Sequence, residues 1–64
     1  MNKDEFRSLF LEAKKYIKFF PILKELNIPQ ANFSHFLKGW DYAMSYEKLY
    51  ALYNAIQDRV SKFA

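Results

Sequence analysis

Residues 21–39 have the sequence PILKELNIPQANFSHFLKG, in which two short helical patterns are joined by a turn. Pro21 suits the first position of a helix, where its missing N–H would have no partner in any case. Asn27 is expected to end that helix, because Asn tolerates a positive φ better than any residue except Gly. The second helix is predicted over Gln30–Lys38, and Gly39, the only glycine, follows as its C-terminal cap.

The segments on both sides of this stretch also have helical spacing. From about Asp4 to Lys18, and again after the candidate N-cap Ser45, apolar residues recur every three or four positions. Residues Trp40–Met44 are expected to form a loop. The periodic positions are Phe6, Leu9, Phe10, Ala13, Ile17 and Phe20, then Leu49, Leu52, Tyr53, Ile56, Val60 and Phe63. The sequence therefore predicts one all-α domain over residues 1–64: a compact bundle of four to five short helices with a helix-turn-helix at about 20–39.

Composition supports a small core that consists largely of aromatic rings. The 64 residues are 52% hydrophobic and 20% aromatic, and they include no cysteine that could form a disulfide. Each aromatic ring can bury about 150–250 Å², which compensates in part for the small size of the domain. The rings expected to face inward are those of Phe6, Phe10, Phe20, Phe33, Phe36 and Tyr53.

Several classes of protein are disfavoured. No uncharged apolar run approaches the ~18–20 residues that cross a bilayer, and no signal core is present, so we expect a cytoplasmic protein without membrane contact. We also expect no enzymatic activity, no metal and no cofactor. The chain has no Gly-rich phosphate loop, no supported Ser-His-acid set and no cluster of metal ligands.

The stretch resembles the lambda-repressor-like (Cro/XRE type) helix-turn-helix DNA-binding family across roughly residues 19–57. Ile22 and Leu26 match the apolar positions of the family's first motif helix, Asn27 matches its turn, and Phe33 and Phe36 match the anchors of the second. The resemblance implies a small transcriptional regulator, of the kind found in phages and mobile elements, that binds double-stranded DNA sequence-specifically. It also implies a homodimer on two half-sites.

The same resemblance places helix 30–38 in the major groove. Base-edge contacts would come from its first turns, and the last residue would contact a phosphate. The implied DNA-binding residues are Gln30, Ala31, Ser34, His35 and Lys38. Free N–H groups at the start of the last helix could hold another phosphate.

Three positions depart from the family pattern. Leu23 stands where the family usually has a small residue at the crossing of the two helices. Phe19 and Phe20 precede Pro21, where the family often has a polar group on a phosphate. Asp41 lies in a loop that in the family runs near the DNA backbone, so we expect it to repel phosphate.

Other features leave alternatives open. The outer face of helix 30–38 could be an ordinary solvated face. The net charge of +3 is mild, and Arg7, Lys14 and Lys18 are interpreted as a solvated stripe of the first helix, away from DNA. The alternative function is a protein-binding module or inhibitor that uses an aromatic rim. Its candidate partner or dimer contacts are Trp40, Tyr42, Tyr46, Tyr50 and Phe63, which could equally close the core.

Overall fold

Four α-helices and one 3₁₀ turn occur in the described part of the chain in a computed structural model, which describes the backbone of residues 1–63 and the side chains of residues 1–59. The elements are α1 (Lys3–Ala13), α2 (Phe19–Glu25), α3 (Gln30–Leu37), the 3₁₀ turn (Asp41–Ala43) and α4 (Tyr46–Phe63). No strand occurs within residues 1–63, so the predicted all-α class is confirmed. None of the helices in this part of the chain has the length and apolarity that crossing a bilayer requires.

Helix α1 is shorter than predicted. It begins with a capping box, in which the Asn2 side chain accepts from the Glu5 N–H and the Glu5 carboxylate accepts from the Asn2 N–H. It ends at Ala13 and not at Lys18, because residues 14–16 form a turn. Apolar spacing alone could not locate this end, since Ile17 still packs against the core beyond it.

Helix α2 begins at Phe19, two residues before Pro21. The missing N–H of Pro21 falls in the first turn, where no intrahelical acceptor exists, and the proline therefore costs no hydrogen bond. The prediction that Phe20 faces inward is wrong. Its side chain is 56% exposed, and Phe19 is buried in its place, with its ring 4.8 Å from that of Phe33.

The turn between α2 and α3 has the predicted left-handed residue, since Asn27 has φ 58°. The Asn27 N–H donates to the Lys24 carbonyl at 3.2 Å, and the Ile28 N–H donates to the Leu23 carbonyl at 2.9 Å. These two bonds define a Schellman motif, which normally carries an apolar residue just after the left-handed one. Ile28 is that residue. It is buried, although the sequence did not indicate it as core.

Helix α3 ends in the same motif around the predicted Gly39 cap. Gly39 has φ 115°, its N–H donates to the Phe36 carbonyl, and the Trp40 N–H donates to the His35 carbonyl, both at 3.0 Å. Lys38 is the C-cap and not the last helical residue. The same type of stop therefore ends both helices of the helix-turn-helix segment, α2 at Asn27 and α3 at Gly39.

The core lies where α1 and α2 contact α3 and α4. Leu23, in place of the small residue of the family pattern, is among its buried side chains. The loop predicted at Trp40–Met44 contains the 3₁₀ turn and ends at Met44, whose burial was not predicted. Ser45 caps α4 as expected, with its Oγ accepting from the Lys48 N–H at 3.4 Å. Core residues are Phe6, Phe10, Phe19, Ile22, Leu23, Ile28, Phe33, Phe36, Met44, Leu49, Leu52 and Ile56.

Candidate nucleic-acid interface

The outward face of α3 holds every residue predicted to contact DNA. Gln30, Ala31 and Lys38 are exposed, and Ser34 and His35 are half-buried. At 3.6 residues per turn, this face is centred on Ala31 and Lys38, opposite the buried Phe33 and Phe36. Gln30 and Ser34 lie along one edge of the face, and His35 lies along the other.

Asn32 is also exposed near the start of α3, although it was not among the predicted contacts. Asn32 directly precedes the buried Phe33 in the sequence, and the helical spacing did not assign it to the outward face of α3. An amide side chain at this point can pair with base edges in the same way as Gln30.

A groove of about 470 Å³ borders the Gln30–Ser34 edge of α3. Its apolar lining includes Phe20 and Pro21 from the start of α2. Lys14 and Lys18, from the segment between α1 and α2, complete the lining. Two lysines that are distant from α3 in the sequence therefore line the same groove as residues of α3.

The predicted basic stripe along the first helix is not formed. Arg7, Lys14 and Lys18 do not lie on one helix, because α1 ends at Ala13. Among the described side chains, neither Lys14 nor Lys18 forms a salt bridge. The two lysines were expected to lie away from the face of α3 that is predicted to contact DNA, but they line a groove together with Gln30 and Ser34 of that face. The sequence did not show this because it did not show where α1 ends.

Arg7 has a different role from the lysines. Its Nε donates to the Phe36 carbonyl at 2.8 Å, and its guanidinium carbon lies 4.7 Å from the centre of the Phe36 ring. The guanidinium also forms ion pairs with Asp41 and, at 2.7 Å, with Asp4. The hydrogen bond that the Arg7 guanidinium donates to the Asp41 carboxylate is the main reason that the pKa of Arg7 is raised. Arg7 thus fastens the C-terminal turn of α3 to α1.

The expected repulsion between Asp41 and phosphate is weakened by this arrangement. The Asp41 carboxylate is paired with Arg7, and its backbone carbonyl accepts from Lys3 Nζ at 2.8 Å. Two cations therefore surround the only acidic residue in the segment between α3 and α4. A paired carboxylate presents much less negative potential to an approaching anion than a free one.

The other edge of α3 is covered by aromatic rings. His35 lies 4.6 Å from the Trp40 ring, and Trp40 stacks on Tyr42 at 5.8 Å, between ring centroids. The Trp40 side chain is 48% exposed and that of Tyr42 is 80% exposed. We refer to His35, Trp40 and Tyr42 as the aromatic stack. His35 therefore belongs to this stack as well as to the outward face of α3.

Tyr46 and Tyr50 form a separate pair on α4. The Tyr50 ring packs edge-on against Phe6 at 4.9 Å, and its hydroxyl accepts from the Met1 ammonium at 3.2 Å. The Lys3 ammonium lies 5.2 Å from the centre of the Tyr46 ring. These contacts tie the pair to the start of the chain. The side chain of Phe63, the remaining candidate partner or dimer contact, lies outside the described residues.

No group of three or more acidic or His side chains suited to a metal ion occurs within the described residues. No family model, curated protein or solved structure matches the chain. The resemblance to the helix-turn-helix family therefore remains a prediction, and the function must be argued from the geometry of this face.

Proposed function

We propose that the protein is a sequence-specific regulator that binds double-stranded DNA, with α3 in the major groove. The observation that carries the proposal is the exposed polar face at the start of α3. This face follows a tight left-handed turn and adjoins two lysines without salt bridges among the described side chains. A helix that follows a short turn and is exposed along one face is the element that such regulators insert into DNA.

Each residue of the face has a distinct role in this proposal. Gln30 pairs with the edge of an adenine, and Ala31 contacts a thymine methyl group. Ser34 donates to or accepts from a neighbouring base, and His35 donates to a guanine or a phosphate from its position on Trp40. Lys38 binds a phosphate at the far end of α3 and adds to the salt dependence of binding.

Duplex binding measured by fluorescence anisotropy tests the proposal. A random duplex of about 20 bp spans two helical turns of DNA and should bind at low salt with an affinity that falls as salt rises. Lys38→Gln should weaken binding at every sequence. Lys24→Gln, an equally exposed lysine on α2 and not among the residues that line the groove, is the matched control. Absence of binding at low salt would overturn the proposal.

Selection from a randomised duplex library tests the sequence specificity. We expect an enriched site whose preferred bases change when Gln30 is replaced by Ala, since amide pairing with a base edge contributes about 1–3 kcal/mol of discrimination. If Gln30→Ala selects the same site as the unmodified protein, Gln30 does not contact a base.

A homodimer is part of the proposal, because one eight-residue helix covers few base pairs. Two copies on half-sites about 34–36 Å apart would double the contacts. Analytical ultracentrifugation with the selected duplex should show two protein chains per duplex. One chain on a site without two-fold symmetry would contradict the dimer.

A second candidate function is a protein-binding module, and the exposed aromatic stack favours it. Trp and Tyr are enriched where protein interfaces concentrate their binding energy, and the Trp40 and Tyr42 side chains of the stack are both exposed. Under this alternative the protein acts as an inhibitor on the same scaffold, and Trp40→Ala abolishes partner binding. This candidate is favoured if the protein does not bind DNA at low salt and if Trp40→Ala abolishes its binding to a protein partner.

A further inference from the structure

The groove beside α3 combines features that suit one kind of occupant. Lys14 and Lys18 supply positive charge, and Gln30 and Ser34 supply hydrogen-bonding groups on the α3 side. The exposed side chains of Phe20 and Pro21 line the same groove. An apolar surface flanked by cations is complementary to a chain that alternates anionic and apolar groups.

The charge of the groove is not cancelled by nearby carboxylates. None of the residues lining it in the described part of the chain is acidic. The acidic side chains closest in sequence have partners elsewhere: Glu12 pairs with Lys15 at 3.1 Å, and Glu25 pairs with Arg59 at 2.7 Å. The two groove lysines therefore keep their full attraction for an anion.

The position of the groove indicates which anion it would bind. Because Gln30 and Ser34 belong both to the groove and to the face proposed to contact bases, whatever fills the groove lies immediately beside those bases. In duplex DNA, the group beside a base is its own sugar-phosphate backbone. Its phosphates match the lysines, and its deoxyribose rings match the apolar surface of Phe20 and Pro21.

We propose that this groove holds the sugar-phosphate backbone of one DNA strand, with Lys14 and Lys18 on its phosphates, and thereby sets the position of α3 in the major groove. This inference rests on the proposed function. It assigns to the segment between α1 and α2 a share in DNA binding that its sequence did not suggest. Phosphate contacts of this kind fix orientation and carry no sequence information, so the lysines position Gln30 without choosing the base.

The salt dependence of duplex binding tests the inference directly. Each phosphate neutralised contributes about −0.9 to the slope of log affinity against log salt. The double variant Lys14→Gln, Lys18→Gln should therefore have a slope shallower by about 1.8. Between about 50 and 200 mM salt, its affinity should fall about tenfold less than that of the unmodified protein. Its preferred site in a randomised library should not change.

Each groove lysine is also replaced singly, as Lys14→Gln or Lys18→Gln, and should then make the slope shallower by about 0.9. The matched control is Lys24→Gln, which removes one charge from an exposed lysine that neither lines the groove nor forms a salt bridge among the described side chains. It should keep the original slope. If Lys24→Gln makes the slope as shallow as either single groove variant does, or if the double groove variant leaves the slope unchanged, the groove assignment is overturned while duplex binding by the unmodified protein still supports the proposed function. If the unmodified protein binds no duplex, both proposals fail. Circular dichroism should show unchanged helix content in all of these variants, because Lys14, Lys18 and Lys24 are exposed.

Discussion

Cations from outside α3 that lie near its two ends have opposite roles. At its start, Lys14 and Lys18 border the groove without salt bridges among the described side chains. At its end, Arg7 is bound to two carboxylates and to the Phe36 carbonyl. The first pair of cations is available to an external anion, whereas the guanidinium serves the fold. A net charge of +3 is therefore weak evidence for binding of an anion until the partner of each cation is known.

Replacing Arg7 by Met should have the largest effect on stability among the changes considered. The substitution keeps an apolar stem against Phe36 but removes a charge-assisted hydrogen bond and leaves the Phe36 carbonyl without its side-chain donor. We expect a loss of about 2 kcal/mol in the free energy of unfolding.

Urea denaturation measures this loss, with Lys24→Met as the control at an exposed lysine that lacks a salt bridge among the described side chains. The control should change stability by no more than about 0.5 kcal/mol. Equal stabilities of the two variants would show that Arg7 is not a structural cation and would break the contrast between the two ends of α3.

Replacing Asn27 by Val should have the next largest effect. A β-branched residue is strained at φ 58°, and we expect a loss of more than about 1 kcal/mol in the free energy of unfolding. Asn27→Gly should be tolerated or mildly stabilising, because glycine adopts this conformation freely. Urea midpoints compare the three proteins. If all three were equally stable, the left-handed turn would not be what orients the start of α3.

The parts of the fold that depend on local backbone chemistry were predictable from the sequence. Asn27 and Gly39 mark the two helix stops because few other residues accept a positive φ. Phe33 and Phe36 were placed correctly, since their spacing leaves one inward face of α3. The polar face on the opposite side followed from the same periodicity.

The remaining features depend on tertiary packing. Apolar spacing did not distinguish Phe19 from Phe20, because α1 ends at Ala13 and α2 begins with a new rotational phase. The approach of Lys14 and Lys18 to α3 follows from that same break. The bonds from Arg7 to Asp41 and Phe36 join residues about 30 positions apart, which no local pattern indicates.

The smallest effect is expected for Trp40→Ala. The side chain is 48% exposed, so its loss should lower the free energy of unfolding by about 1 kcal/mol or less. DNA affinity measured by anisotropy should be unchanged if the aromatic stack serves a protein partner. A large loss of DNA affinity with helix content intact would instead make the stack part of the DNA-binding surface and would extend that surface across both edges of α3.

Backbone amide shifts in a two-dimensional NMR titration with duplex DNA at low salt test the central claim most directly, because they report on both edges of α3 in one experiment. We predict that the largest shifts occur at residues 14–18 and 30–38, with little change at Trp40 and Tyr42. Shifts centred on residues 40–50, or no shifts at all, would contradict the proposal that α3 and the adjoining groove bind DNA.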